Sequence, residues 1–121
     1  MKIKTRGESE AEISQAVIKF EKELLGRGPL DVRTFFVCDM ILIRLRGILT
    51  PGDQKLAETP EGQALLKESR RRIFEGSRPF FEELVVNVTG CRLVSFHTDM
   101  STKTGERILV LTVNENLEKL F

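Results

Sequence analysis

Two runs of β-branched and aromatic residues, Val32 to Cys38 and Ile41 to Arg46, stand only two residues apart. Strands joined that tightly pair antiparallel. A turn at Asp39-Met40 sets Cys38 opposite Ile41, Phe36 opposite Ile43 and Thr34 opposite Leu45, on the face expected to be buried. On the other face Val37 meets Leu42, Phe35 meets Arg44 and Arg33 meets Arg46. Like charges directly opposite one another destabilise a sheet by a few tenths to about 1 kcal/mol. Arg33 and Arg46 therefore imply an acid close by, either a Glu from a helix or strand, or an anionic ligand or partner. Asp-Met is not the Asn-Gly type of turn that a two-residue hairpin prefers, and a one-residue slip would exchange the two faces.

Before this hairpin, Ile13, Ala16, Val17, Phe20 and Leu24 recur at helical spacing. Acids lead and lysines follow, the order that the helix dipole favours. Gly26, Gly28 and Pro29 end the pattern, which predicts a helix from Glu8 to Leu25. After it, Thr50-Pro51-Gly52-Asp53 and Thr59-Pro60-Glu61 each place a capping Thr before a Pro and an early acid. A short helix to Glu58 and a longer one through Leu65, Leu66 and Phe74 follow, with a kink or break expected at Pro79. Alternation returns from Cys91 to Thr98 and from Arg107 to Val113, and Asn114 caps a short C-terminal helix. The order is α-β-β-α-α-β-β-α, an α+β fold with a four-stranded antiparallel sheet and helices mainly on one face. Residues 1–7 are expected to be a disordered basic N-terminus, and residues 8–121 one domain without a linker.

The bulk numbers narrow the function classes. A chain of 121 residues can form one sizeable core. Its net charge of +1 supplies no global field for nucleic acid or an acidic membrane, so any basic site must be local. All eight aromatics are Phe, without the polar handle that enriches Tyr and Trp at binding surfaces, and most belong in the core. Cys38 and Cys91 lack metal-ligand spacing and read as buried free thiols, which suits a reducing cytosol. No run approaches the roughly 18 apolar residues of a membrane span, and the first seven residues lack the apolar core of a secretory signal. A soluble cytoplasmic protein is the expectation.

Candidate chemistry gathers in the loop expected between His97 and Arg107. It holds the single His together with Asp99, Ser101, Thr102, Lys103, Thr104 and Glu106. A Ser/His/Asp triad can be written from these letters, but one turn is a poor scaffold for its geometry. His97 with Asp99 and Glu106 lacks the usual zinc spacing. Ser101, Thr102, Thr104 and Gly105 equally suit a hairpin turn with a positive φ at the glycine. A binding loop for an anion or protein partner is the other reading. Gly26-Arg27-Gly28-Pro29 is a lone Gly-x-Gly after a helix, the wrong context for a nucleotide. Arg70-Arg71-Arg72, with Lys67 and Arg78 nearby, is the densest basic stretch, but three successive helical residues spread over about 300° and cannot all face one ligand. They read either as a face paired with Glu68 and Glu75 or as a phosphate contact.

Several segments carry a resemblance: Glu8 to Glu23, Gly26-Arg-Gly-Pro, Leu49-Thr-Pro, Glu58-Thr-Pro-Glu-Gly, Ser77-Arg-Pro and Ser95 to Arg107. Together, across residues 8 to 113, they resemble the MpsC-like family of small bacterial proteins. The resemblance implies a link to a sodium-translocating, membrane-potential-generating system connected with inorganic-carbon transport, and it brings no catalytic residues. The resulting expectation is a non-enzymatic accessory or regulatory protein, possessing no cofactor or metal, cytoplasmic or peripheral at the membrane. It would form a homodimer and bind a protein partner or small anion. Its site would comprise Arg33, Arg44, Arg46, His97, Asp99, Ser101, Thr102, Thr104, Glu106 and Arg107. A nucleic-acid module using Arg70 to Arg72 and a small enzyme using the His97–Arg107 loop are the alternatives.

Overall fold

The computed structural model describes residues 4–121. Helix α1 (Arg6–Leu25) begins where the Thr5 side chain accepts a hydrogen bond from Glu8 N–H and the Glu8 carboxylate accepts one from Thr5 N–H. It starts two residues before the expected Glu8, so Arg6 and Gly7 are helical; residues 1–3 of the expected disordered N-terminus lie outside the described residues. Its buried stripe is Ser9, Ile13, Val17 and Glu21, spaced by four along strand β1. Leu24, expected on that stripe, is turned outward, and Glu21 is buried at 2% exposure.

Strands β1 (Asp31–Val37) and β2 (Met40–Arg46) form the first hairpin, and β3 (Leu93–Met100) with β4 (Arg107–Val113) the second, in the sheet order β1-β2-β4-β3. Every neighbouring pair is antiparallel. The first turn differs from expectation. Val37 pairs with Met40, so the two turn residues are Cys38 and Asp39. Cys38 adopts φ 55, the positive value that a two-residue hairpin requires at its first central position. The pairing is displaced by two residues, not one, and the faces keep their expected sides. Phe36 now faces Ile41, Thr34 faces Ile43, and Arg33 faces Arg44 rather than Arg46. Cys38 leaves the buried face and is exposed; Cys91 is buried.

The cause lies at the other end of the chain. Val113 N–H donates to Asp39 O, Leu117 N–H donates to Cys38 O, and the Glu118 carboxylate accepts from Cys38 N–H. The C-terminal segment thus satisfies the backbone of a Cys38-Asp39 turn, which no local reading of the hairpin reveals. That segment includes α5 (Leu117–Leu120), capped by Asn116 instead of Asn114. Asn114 clamps the start of the second hairpin by exchanging hydrogen bonds with Arg92. Leu117 is fully buried, and Phe121 packs against Phe36.

Helices α2 (Pro51–Leu56) and α3 (Pro60–Glu75) begin at the expected Thr-Pro signals, with Thr50 and Thr59 capping. The helical region breaks at Gly76-Ser77, and α4 (Arg78–Thr89) carries Pro79 in its first turn, where no N–H donor is required. α1 and α5 pack on β1, while α3 and α4 pack on β3. The core lies between these helices and the sheet face of Phe36, Ile41, Ile43, Leu45, Leu109 and Leu111. Seven of the eight phenylalanines belong to this cluster or pack against it, which leaves Phe35 as the exception.

Candidate functional site

The sheet alternation that buries one face presents the other. From β1 and β2 this open face carries Arg33, Phe35, Leu42 and Arg44; from β4, Ile108 and Val110; from β3, His97 and Asp99. Phe35 is 48% exposed, and Leu42, Ile108 and Val110 are half-buried. The apolar centre is flanked by charge. Arg33 and Arg44 are direct cross-strand partners, and Arg46 stands across from Asp31. Asp31 lies 3.7 Å from Arg33, and Arg44 Nε donates to Glu106 Oε2 at 2.6 Å. A hollow of about 220 Å³ is lined by Asp31, Arg33, Phe35, Arg44 and Arg46, with three guanidiniums beside one carboxylate. Of the residues singled out from the sequence, Arg33, Arg44, Arg46 and Glu106 are therefore assembled at one end of the open face.

The expected 97–107 loop is shorter than the sequence suggests. His97 and Asp99 are strand residues opposite Val110 and Ile108, so the connection comprises residues 101–106. Ser101 N–H donates to Glu106 O, Gly105 N–H donates to Ser101 O, and Thr104 N–H donates to Ser101 Oγ. Gly105 adopts φ 73, as the turn reading requires. Asp99 accepts from Met100 N–H and lies 3.4 Å from Lys67, and both hold its carboxyl below the ordinary range. Neither Ser101 nor Asp99 is joined to His97, so the three do not form a triad. Thr102 and Thr104 line a separate surface hollow with Gln54 and Glu58 from around α2.

Arg107 is not on the loop surface. It is 1% exposed, with its guanidinium carbon 3.9 Å from the centroid of the Phe74 ring. Burial lowers its pKa to about 10, against the opposing attraction of Glu21. Glu21 is shifted upward by its own burial, opposed by Arg107 and Arg70. Sequence reading missed this inner group because Glu21 sits among charged helical residues and Arg107 ends a polar loop. Only the four-residue spacing from Ser9 to Glu21 hinted at it.

The basic run on α3 is tied internally. Arg71 binds Glu68 and Glu75 at 2.7 Å, Arg72 binds Glu68 at 2.9 Å, and Arg70 binds Asp53 at 2.8 Å. The two arginines on Glu68 pull its pKa down to about 2.

Comparison with known proteins places the chain. The family described as Na+-translocating membrane potential-generating system (MpsC) matches residues 5–115. The chain belongs to the MpsC family. The uncharacterized protein YbcI of Bacillus subtilis (strain 168) is 38% identical over 116 residues, covering 96% of this chain and 94% of that protein. The uncharacterized protein YrhF of the same organism is 26% identical over 113 residues, covering 89% of each. No solved structure matches. The MpsC description connects the chain with a sodium-translocating membrane system, yet no helix among the described residues is long and apolar enough to cross a membrane.

Proposed function

We propose that this MpsC-family chain is a non-enzymatic accessory protein of a Na+-translocating, membrane-potential-generating system. It works in the cytoplasm, at the membrane surface, by docking the open sheet face onto an acidic segment of a membrane-protein partner. The observation that carries this reading is Phe35, the one phenylalanine outside the helix-covered cluster, lying 48% exposed beside Arg33, Arg44 and Arg46. An aromatic ring among guanidiniums is the composition that interface hot spots favour. Arginine also matches carboxylates through planar paired hydrogen bonds. Asp31 and Glu106 are too few to neutralise three arginines, which leaves positive charge for a partner's acids. The α3 arginines favour nucleic acid less, because three successive helical residues cannot all face one backbone and Arg70 is turned inward onto Asp53. Co-sedimentation with membranes from cells that express the family tests this reading. The wild-type protein should sediment, and Phe35→Ser and Arg44→Glu should remain in the supernatant while still folded. Equal sedimentation of all three proteins would contradict it.

A further inference from the structure

A second site lies away from the hollow around Phe35, where α3 runs along the edge strand β3. A cavity of about 150 Å³ opens there between Lys67 and Arg71 of α3 and Thr98 and Asp99 of β3, with Arg107 on its inner side. Arg107 donates from Nη1 to Thr98 Oγ1 at 2.8 Å and from Nη2 to Met100 Sδ at 3.5 Å, while its buried Nε has no acceptor among the described residues. The nearby ion pairs are Lys67–Asp99, Arg71–Glu68, Arg71–Glu75 and Arg70–Asp53, and among the described residues none includes Arg107. A buried guanidinium whose hydrogen bonds go only to neutral atoms is costly. Glu21 and Asp99 attract Arg107 from beyond ion-pair distance, and burial still outweighs them, lowering its pKa to about 10, so it stays charged at neutral pH. The lining sets Lys67, Arg71 and Arg107 against Glu68 and Asp99, while Glu75, outside the lining, bonds Arg71 and Glu21, also outside it, attracts Arg107.

We propose that this cavity binds a phosphate-type oxyanion, free or as a phosphomonoester, between Arg107 on the inside and Lys67 and Arg71 at the mouth. The size agrees: a protein cavity of ~150 Å³ can hold a benzene-sized molecule of six heavy atoms, and phosphate has five. The mixed lining also selects the ligand. The Asp99 carboxylate can accept a hydrogen bond from the P–O–H of hydrogen phosphate, or of a phosphomonoester in its singly protonated form below a pKa of about 6, and offers nothing but repulsion to sulfate, which has no proton at neutral pH. Arg107 positions the anion from a fixed rotamer locked by Thr98 and the Phe74 ring, so little entropy is lost on binding.

Calorimetric titration of the full chain with inorganic phosphate, at constant ionic strength, tests the proposal. Phosphate should bind at one saturable site, with sulfate weaker by about tenfold or more. Lys67→Ala and Arg71→Ala should each weaken phosphate by about tenfold, the scale of one charge-assisted hydrogen bond. Both residues are half exposed, so these variants should keep the wild-type melting temperature. Arg107→Lys keeps the charge but loses the fork, and should lose binding wherever circular dichroism shows it folded. Adenosine monophosphate in a parallel titration assigns the source: tighter than phosphate means a phosphomonoester, weaker means the free ion. No saturable phosphate binding, sulfate binding as tightly, or phosphate binding unchanged in Lys67→Ala would overturn the proposal. Phosphate binding lost in Arg44→Gln would also overturn it, since the anion would then sit on the open face.

Discussion

Arg33 stands directly across from Arg44 on the open face of the sheet. The two are not relieved alike. Arg44 holds Glu106 at 2.6 Å, whereas the Arg33–Asp31 contact is 3.7 Å between largely exposed groups. A like-charge cross-strand pair costs a few tenths to about 1 kcal/mol. Arg33→Gln should therefore stabilise the fold by a few tenths of a kcal/mol in urea denaturation. Arg44→Gln should lower stability by up to about 1 kcal/mol through loss of its bond to Glu106. Stabilisation by both substitutions would show that Glu106 adds nothing.

Gly62 begins the close crossing of α2 and α3. A Cβ built there would overlap the Leu56 carbonyl oxygen, a backbone atom that cannot swing away. Gly62→Ala should destabilise the chain by roughly 2 kcal/mol or more, in the upper part of the usual range for point substitutions. Ala would be the better helix former, by about 1 kcal/mol, so a gain in melting temperature would show that the two helices separate freely.

Glu21 links stability to pH. Its buried carboxyl has a pKa above the ordinary 4.5, so it holds its proton more tightly folded than unfolded. The stability this provides is complete below pH 4.5 and is lost as pH rises through the raised folded value. Glu21→Gln, which mimics the protonated acid, should lack that loss. Its melting temperature should rise relative to wild type between acid and neutral pH. Parallel melting curves, or a variant weaker at neutral pH, would mean that attraction to Arg107 and Arg70 outweighs burial.

The two thiols should react differently. Cys38 is exposed at its turn and Cys91 is buried, so a thiol reagent should label Cys38 in the native protein and Cys91 only after unfolding. The Glu118 carboxylate beside Cys38 raises the thiol pKa through hydrogen bonding and charge. Glu118→Gln should accelerate labelling at pH 8, because the thiolate is the reactive form. Unchanged kinetics would separate Glu118 from the thiol.

Much of this architecture is legible locally. Thr50-Pro51 and Thr59-Pro60 announce their helices because a cap and a first-turn proline act within four residues. The face assignment of the first hairpin survives its register error because the pairing moved by an even number of residues. What escaped sequence reading depends on distant parts of the chain. The Cys38-Asp39 turn is fixed by Leu117 and Glu118, some 80 residues away. Arg107 occupies a strand start beside a polar loop, and its burial is set by Phe74 and Thr98. The hollow of Arg33, Arg44 and Arg46 with its exposed Phe35, by contrast, is legible as well, because strand alternation sets Phe35 and these arginines on the face opposite the core.

The most direct measurement places a photo-crosslinking benzoylphenylalanine at position 35 in living cells, with the same residue at the exposed Leu65 of α3 as control. Irradiation should yield an adduct from position 35 with a protein of the membrane fraction, absent from position 65 and abolished by Arg44→Glu. No adduct, an adduct with a second copy of this chain alone, or equal adducts from both positions would contradict docking of a membrane partner on the open sheet face.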